Sequence, residues 1–105
     1  LETQQLIDFA VDKIDDLKGR DVEVIDVSDK SSIMDFIIVC SGNSKTHVKS
    51  IGQHVATEAK HQGTPAIGIE GADFGEWVLV DFGSIVVHVM LDDTREFYQI
   101  EKLWQ

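Results

Sequence analysis

Three histidines, His47, His54 and His61, recur every seven residues. On a helix they fall in one line, but a rise of ~1.5 Å per residue leaves successive rings about 10 Å apart. One metal ion cannot bridge that spacing, so the line reads as a solvated flank, with a pH-sensitive contact as its minor use. Cys40 is the one cysteine. It ends an apolar run with no adjacent His or basic residue, the setting of a small buried hydrophobe rather than a nucleophile. Ser41-Gly42-Asn43-Ser44-Lys45-Thr46 joins a strand to a helix start and ends Ser-Lys-Thr, like a phosphate loop. It lacks the glycine before Lys45 and the rest of the GxxxxGK[ST] spacing, so a helix-capping loop accounts for it. An anion at that helix end is the functional alternative. Asp21 and Glu23 alternate along a strand, as metal-holding carboxylates do in nucleotidyl transfer. That chemistry also wants a third carboxylate and a Gly-Ser loop before the pair, and both are missing. Ser-His-Asp, HExxH and CxxC patterns are absent. The residues therefore favour a protein without catalysis, cofactor or metal. A small nucleotide-binding enzyme, or a relic of one, using the Ser41–Thr46 loop with Asp21 and Glu23 is the alternative.

The elements that hold these residues follow from hydrophobic periodicity. Over residues 3–18, Leu6, Ile7, Ala10, Ile14 and Leu17 share one helical face, Thr3 can cap its start, and Gly19 stands where a C′ residue belongs. Asp8, Asp12, Asp15 and Asp16 form the solvated side. Residues 21–27 are β-branched and alternating, and 35–40 form a continuous apolar run, as in a strand buried on both faces. A second helix spans 44–62, with Val48, Ile51, Val55, Ala56 and Ala59 inward and Gly63 and Pro65 as its stop. Strands follow at 66–70, 76–82 and 85–90, and a final helix at 92–104 carries Phe97, Ile100, Leu103 and Trp104. The order αββαβββα predicts one α/β domain over residues 1–105, with a mixed sheet of about five strands and helices packed on it.

Gly83-Ser84 between two apolar alternating runs predicts a two-residue type II′ hairpin, which fixes the register. Phe82 then faces Ile85, Val80 faces Val87, and Val78 faces Val89, a uniformly apolar set that belongs under the helices. On the other face Asp81 meets Val86, Leu79 meets His88, and Trp77 meets Met90. Three helices cover one side of such a sheet fully and the other in part. Trp77, Leu79, Val86 and Met90 then form a bare apolar patch dotted by His88 and Asp81, with Glu70, Asp73 and Glu76 at its rim. An aromatic and Met centre inside a charged rim is the composition of a protein-binding surface. The competing expectation is that the C-terminal helix covers this face as ordinary core.

The 105 residues carry 19 acidic and 9 basic side chains, a net charge of −10. A chain of this size buries roughly 65% of its unfolded surface and leaves about 5,900 Å² exposed, enough burial for a core without staples. One cysteine permits no internal disulfide. The longest apolar runs are four or five residues, and no signal-peptide pattern is present, so a membrane is excluded and a cytoplasmic setting expected. Excess acid disfavours nucleic acid, whose phosphates need clustered Lys and Arg, and suits a basic protein partner.

Taken in order, KIDDLKGRDVEVIDV, SSIMDFIIVCSGNSKTHV, EG…EWVLVDFG and IVVHVM…REFYQIEKLW resemble the ribosomal silencing factor family, also called the Iojap family, across essentially the whole chain. The resemblance implies a non-enzymatic repressor of translation. Members bind protein number fourteen of the large (50S) ribosomal subunit, on the face that meets the small subunit, and sterically block subunit joining under nutrient limitation and in stationary phase. It also implies a role in large-subunit maturation, homodimers off the ribosome, and a fold similar to nucleotidyltransferases without their catalytic carboxylates. Carried over by position, Trp77 matches the family's aromatic anchor and Asp81-Phe82-Gly83 its acidic hairpin turn. His88, Met90 and Leu91 match the strand that follows, and Phe97-Tyr98 an aromatic pair. With Glu70 from the rim, these are the expected partner-binding residues.

Overall fold

A computed structural model describes residues 1–104. The elements are α1 (Thr3–Asp16), β1 (Arg20–Asp26), β2 (Phe36–Gly42), α2 (Lys45–His61), β3 (Gly68–Glu70), β4 (Trp77–Asp81), β5 (Ile85–Leu91), α3 (Asp92–Tyr98) and α4 (Ile100–Leu103). The strands form one sheet in the order β1-β2-β5-β4-β3. Only β2 and β5 run parallel; the other neighbours are antiparallel. The expected α/β class and mixed five-stranded sheet are therefore present. The accessible surface is 5876 Å², in line with the scaling expectation.

Alternation along the strands builds two cores. Ile38, Cys40, Val78, Val80, Ile85, Val87 and Val89 face α1 and α2, where Leu6, Ala10, Ile14, Val48, Ile51 and Val55 complete the main core. On the opposite, outer face Val27, Ile37, Val39 and Met90 pack under Ile100 of α4. That is why 35–40 reads as unbroken apolar sequence: both faces of β2 are covered.

Four local details depart from the sequence expectations. α1 begins after Glu2, whose backbone N–H donates to Gln5 Oε1 (3.1 Å), so Thr3 is its first helical residue rather than its cap. Its left-handed residue is Lys18 (φ 61°), not Gly19. Gly19 is required for space instead, since a Cβ there would collide with the Ile14 side chain. In β1 three steps from Arg20 to Glu23 oppose two from Ser41 to Val39, a bulge that puts Asp21 at φ 52°. Finally, the last helix is broken at Gln99, which adopts left-handed geometry (φ 46°, ψ 50°) and separates α3 from α4. The break swings Ile100 into the outer core and leaves Phe97 and Leu103 outside, 79% and 73% exposed.

Candidate partner-binding surface

The hairpin register agrees residue for residue with the expectation: Trp77↔Met90, Val78↔Val89, Leu79↔His88, Val80↔Val87 and Asp81↔Val86. The turn closes with Phe82 N–H donating to Ile85 O (2.9 Å), while Gly83 takes φ +87° and gives its N–H to Asp81 Oδ1 (2.8 Å). A positive φ at the first turn residue alone is what type II′ needs, and only glycine adopts it without strain.

Rows read across the outer face show how far the molecule covers it. One row runs Glu70, Leu79, His88, Val39, Glu23; the next runs Gly68, Asp81, Val86, Ile37, Ile25. At the β1–β2 end Val39 and Ile37 are sealed under Ile100. Toward β3 no helix among the described residues lies over the sheet, and Leu79, Asp81, Val86 and His88 are half-buried while Glu70 is exposed. The face is covered over one half and open over the other.

Trp77 stands at the boundary. It is half-buried, packs partly on the outer core, and its indole N–H donates to His88 Nδ1 (3.0 Å). Tyr98 of α3 leans on it from the far side with ring centres 5.1 Å apart, and Phe97 meets Tyr98 edge-on at 4.9 Å. His88, Trp77, Tyr98 and Phe97 thus form a row of rings leading from the sheet out to solvent. Trp77 and Leu79 line a shallow hollow with Glu70 and Gly71. Burial pushes the His88 imidazole down to about 4, against a weaker opposing pull from the Glu101 carboxylate. The neutral ring accepts the indole proton at Nδ1 and keeps its own on Nε2.

Met90 is the correction within the expected patch. Its outward direction is as the register requires, but it is 0% exposed because Ile100 covers it. The C-terminal helices therefore make core of one end of the face while leaving the other. Leu91 is half-buried and packs against the main core, and its N–H donates to Glu76 O (3.0 Å). Glu76 itself pairs with Lys45 (3.6 Å) rather than rimming the hollow.

The other constellations resolve into structure. His47 is a tether: Nδ1 accepts the Asn43 N–H (2.9 Å) and Nε2 donates to Leu17 O (2.6 Å). His54 Nε2 contacts Asp16 (3.0 Å), so two of the three histidines bind α2 to the end of α1 instead of forming a solvated flank; His61 meets only Glu58. Ser44 caps α2 by accepting the His47 N–H (3.1 Å). The bulge separates Asp21 from Glu23: Asp21 lies near Arg20 (3.6 Å) and Glu23 holds Arg95 (3.3 Å). Among the described residues, no group of three or more His, Cys, Asp or Glu side chains is placed to hold a metal ion. Burial pushes the Cys40 thiol up to about 12. No helix among the described residues is long and apolar enough to cross a membrane.

Sequence reasoning missed Arg95. Its guanidinium donates to Ser41 Oγ (2.9 Å), Glu23 Oε2 (3.3 Å) and Glu101 Oε2 (3.2 Å), joining β2, β1 and α4 beneath α3. A lone Arg amid the acidic residues of the last helix was the available signal.

The chain is similar to known proteins along its length. The model of the family described as ribosomal silencing factor during starvation matches residues 1–105. Ribosomal silencing factor RsfS of Haemophilus influenzae is 42% identical over 99 residues, covering 94% of this chain and 97% of that protein. The mouse (Mus musculus) protein named mitochondrial assembly of ribosomal large subunit protein 1 is 38% identical over 101 residues, which cover 93% of this chain and 44% of its own length. A crystal structure of a Chromobacterium violaceum protein superposes with a TM-score of 0.97 at 40% identity, covering 99% of this chain and 87% of that one. With this similarity along its whole length, the chain belongs to the ribosomal silencing factor family.

Proposed function

We propose that this protein docks on the large ribosomal subunit through the open half of its outer sheet face and, by occupying that site, keeps the small subunit from joining. The observation that carries the reading is the half-covered face: Leu79 and Val86 are apolar, half-buried and lie beyond the reach of α3 and α4, Trp77 stands half-buried at the edge where Tyr98 of α3 meets it, and Glu70 and Asp81 lie beside them. Isolated apolar residues on a surface mean little, but a contiguous aromatic and aliphatic patch with an acidic border is where binding energy concentrates. Trp77, Leu79, Tyr98 and Phe97 supply the desolvated contacts. A chain of net charge −10 is matched to a basic ribosomal protein, and the family resemblance points to number fourteen of the large subunit. Maturation of the large subunit, in the cytoplasm, is a second consequence of the same binding. Repression of this kind involves no bond making, only a residence time longer than the interval between small-subunit encounters. A homodimer off the ribosome would use the same patch or leave it free.

The direct test is affinity for purified large subunits. Trp77→Ala removes a half-buried side chain and costs on the order of 2 kcal/mol of stability, below the 3–5 of a fully buried Trp. The variant stays folded and loses at least tenfold in affinity. Wild-type affinity in a folded Trp77→Ala protein contradicts the assigned surface.

A further inference from the structure

α3 has little apolar anchorage of its own: Tyr98 rests on Trp77 but is itself half exposed. Its seven residues include none that is buried, and its N-cap residue Leu91 provides no side-chain cap. Helices shorter than ~12–15 residues do not hold together in water on their own. What fastens it is polar. At its first turn Asp92 meets Arg20 (2.7 Å). One turn on, Arg95, with its side chain only 12% exposed, spreads its three donor directions to Ser41, Glu23 and Glu101, each on a different element. Ser41 is itself buried, the one polar residue among the fully covered side chains of the described chain.

The helix period converts this anchorage into a surface. Residues three apart lie on one side of a helix and neighbours diverge by about 100°. Fixing Arg95 against the sheet therefore turns Tyr98 toward the sheet, where it meets Trp77, and turns Phe97 away, where it is 79% exposed. Gln99 then ends the helix in left-handed geometry, and Ile100 just beyond it is buried in the outer core. We infer that Arg95 is the positioning residue of the docking surface: its three-way clamp sets the rotation of α3 and hence the row Trp77, Tyr98, Phe97 that a partner meets. Resting on the proposed docking role of that face, the inference assigns Arg95 no contact with the partner. A buried ionic clamp of this sort commonly contributes little net stability compared with an apolar side chain of similar size, while its fork fixes direction.

The test separates the clamp from the surface. Arg95→Met keeps the length and loses the fork. It strands the largely buried Glu101 carboxylate, so it is expected to melt clearly below wild type, and, measured at a temperature where it is folded, to lose the ring-current shift that Trp77 imposes on the Tyr98 ring protons in NMR spectra and to bind purified large subunits at least tenfold more weakly. Arg95→Lys retains charge but not three-way geometry, and recovers less than half of that loss on a logarithmic scale. Should Arg95→Met not fold, Glu23→Gln loosens one arm of the clamp at a partly exposed site, and the same two readouts move in the same direction by a smaller step. An Arg95→Met or Glu23→Gln protein with an unmoved Tyr98 signal and wild-type affinity overturns the inference. Trp77→Ala is run alongside. Wild-type affinity there removes the docking surface and the positioning role with it, whereas weak Trp77→Ala binding beside normal Arg95→Met binding removes the positioning role alone.

Discussion

Burial acts on Cys40 and His88 in opposite directions along the pH scale and to the same end: each is held neutral. The Cys40 thiol is pushed up to about 12 and the His88 imidazole down to about 4. For His88 this becomes a stability statement. Its folded value lies below the ordinary 6.5, so the unfolded chain binds the extra proton first as pH falls. The contribution is complete above about 6.5 and is lost as pH drops toward about 4, to a total of at most about 3 kcal/mol at ~1.36 kcal/mol per unit. Asp16, Asp26 and Asp92 are lowered from an ordinary 3.8, so their losses fall below that window. Urea unfolding from pH 7 to 4 should therefore show a decline that His88→Gln flattens, since the amide oxygen can still accept the Trp77 indole proton. An unchanged decline in that variant would assign it elsewhere.

At the scale of elements, the tethers matter more than composition suggests. His47 joins the loop before α2 to the Leu17 carbonyl just past α1 through two hydrogen bonds to main-chain groups. His47→Ala leaves both main-chain partners unmet and is predicted to cost about 1–3 kcal/mol, with faster amide exchange at Asn43. Unchanged stability and exchange would mean that water replaces the ring without loss. This contact also shows where sequence stops informing. The hairpin register was readable because Gly83-Ser84 fixes pairing locally, and period 2 does the rest. The parallel pairing of β2 with β5 joins segments some fifty residues apart, and no local residue encodes it. Helical periodicity placed His47 and His54 off the apolar stripe of α2 but could not say that α1 ends beside them. The bulge at Asp21 was likewise invisible, because an Asp in left-handed geometry leaves no mark on the alternation of Val22 and Val24. Met90 differs from expectation for a related reason: its direction follows from register, whereas its cover depends on Gln99 breaking the last helix and swinging Ile100 inward.

Across the whole molecule, two helices seal one sheet face and two short ones seal half of the other, in a body of 32 × 31 × 21 Å. The uncovered half is the feature on which the functional account rests, and the charge of −10 shapes how a partner reaches it. Association with large subunits should slow as ionic strength rises while dissociation changes little, because salt screens long-range attraction more than packed contact. A dissociation rate that carries the whole salt effect would argue against steering. Steric occupancy of the large subunit is read out by subunit joining. Purified large subunits are incubated with increasing amounts of the protein, small subunits are added, and joined ribosomes are quantified on sucrose gradients. With steric occupancy, joined ribosomes fall in proportion to bound protein and reach a minimum at one copy per large subunit, with folded Trp77→Ala inactive; near-complete inhibition at far below one copy per subunit would rule occupancy out.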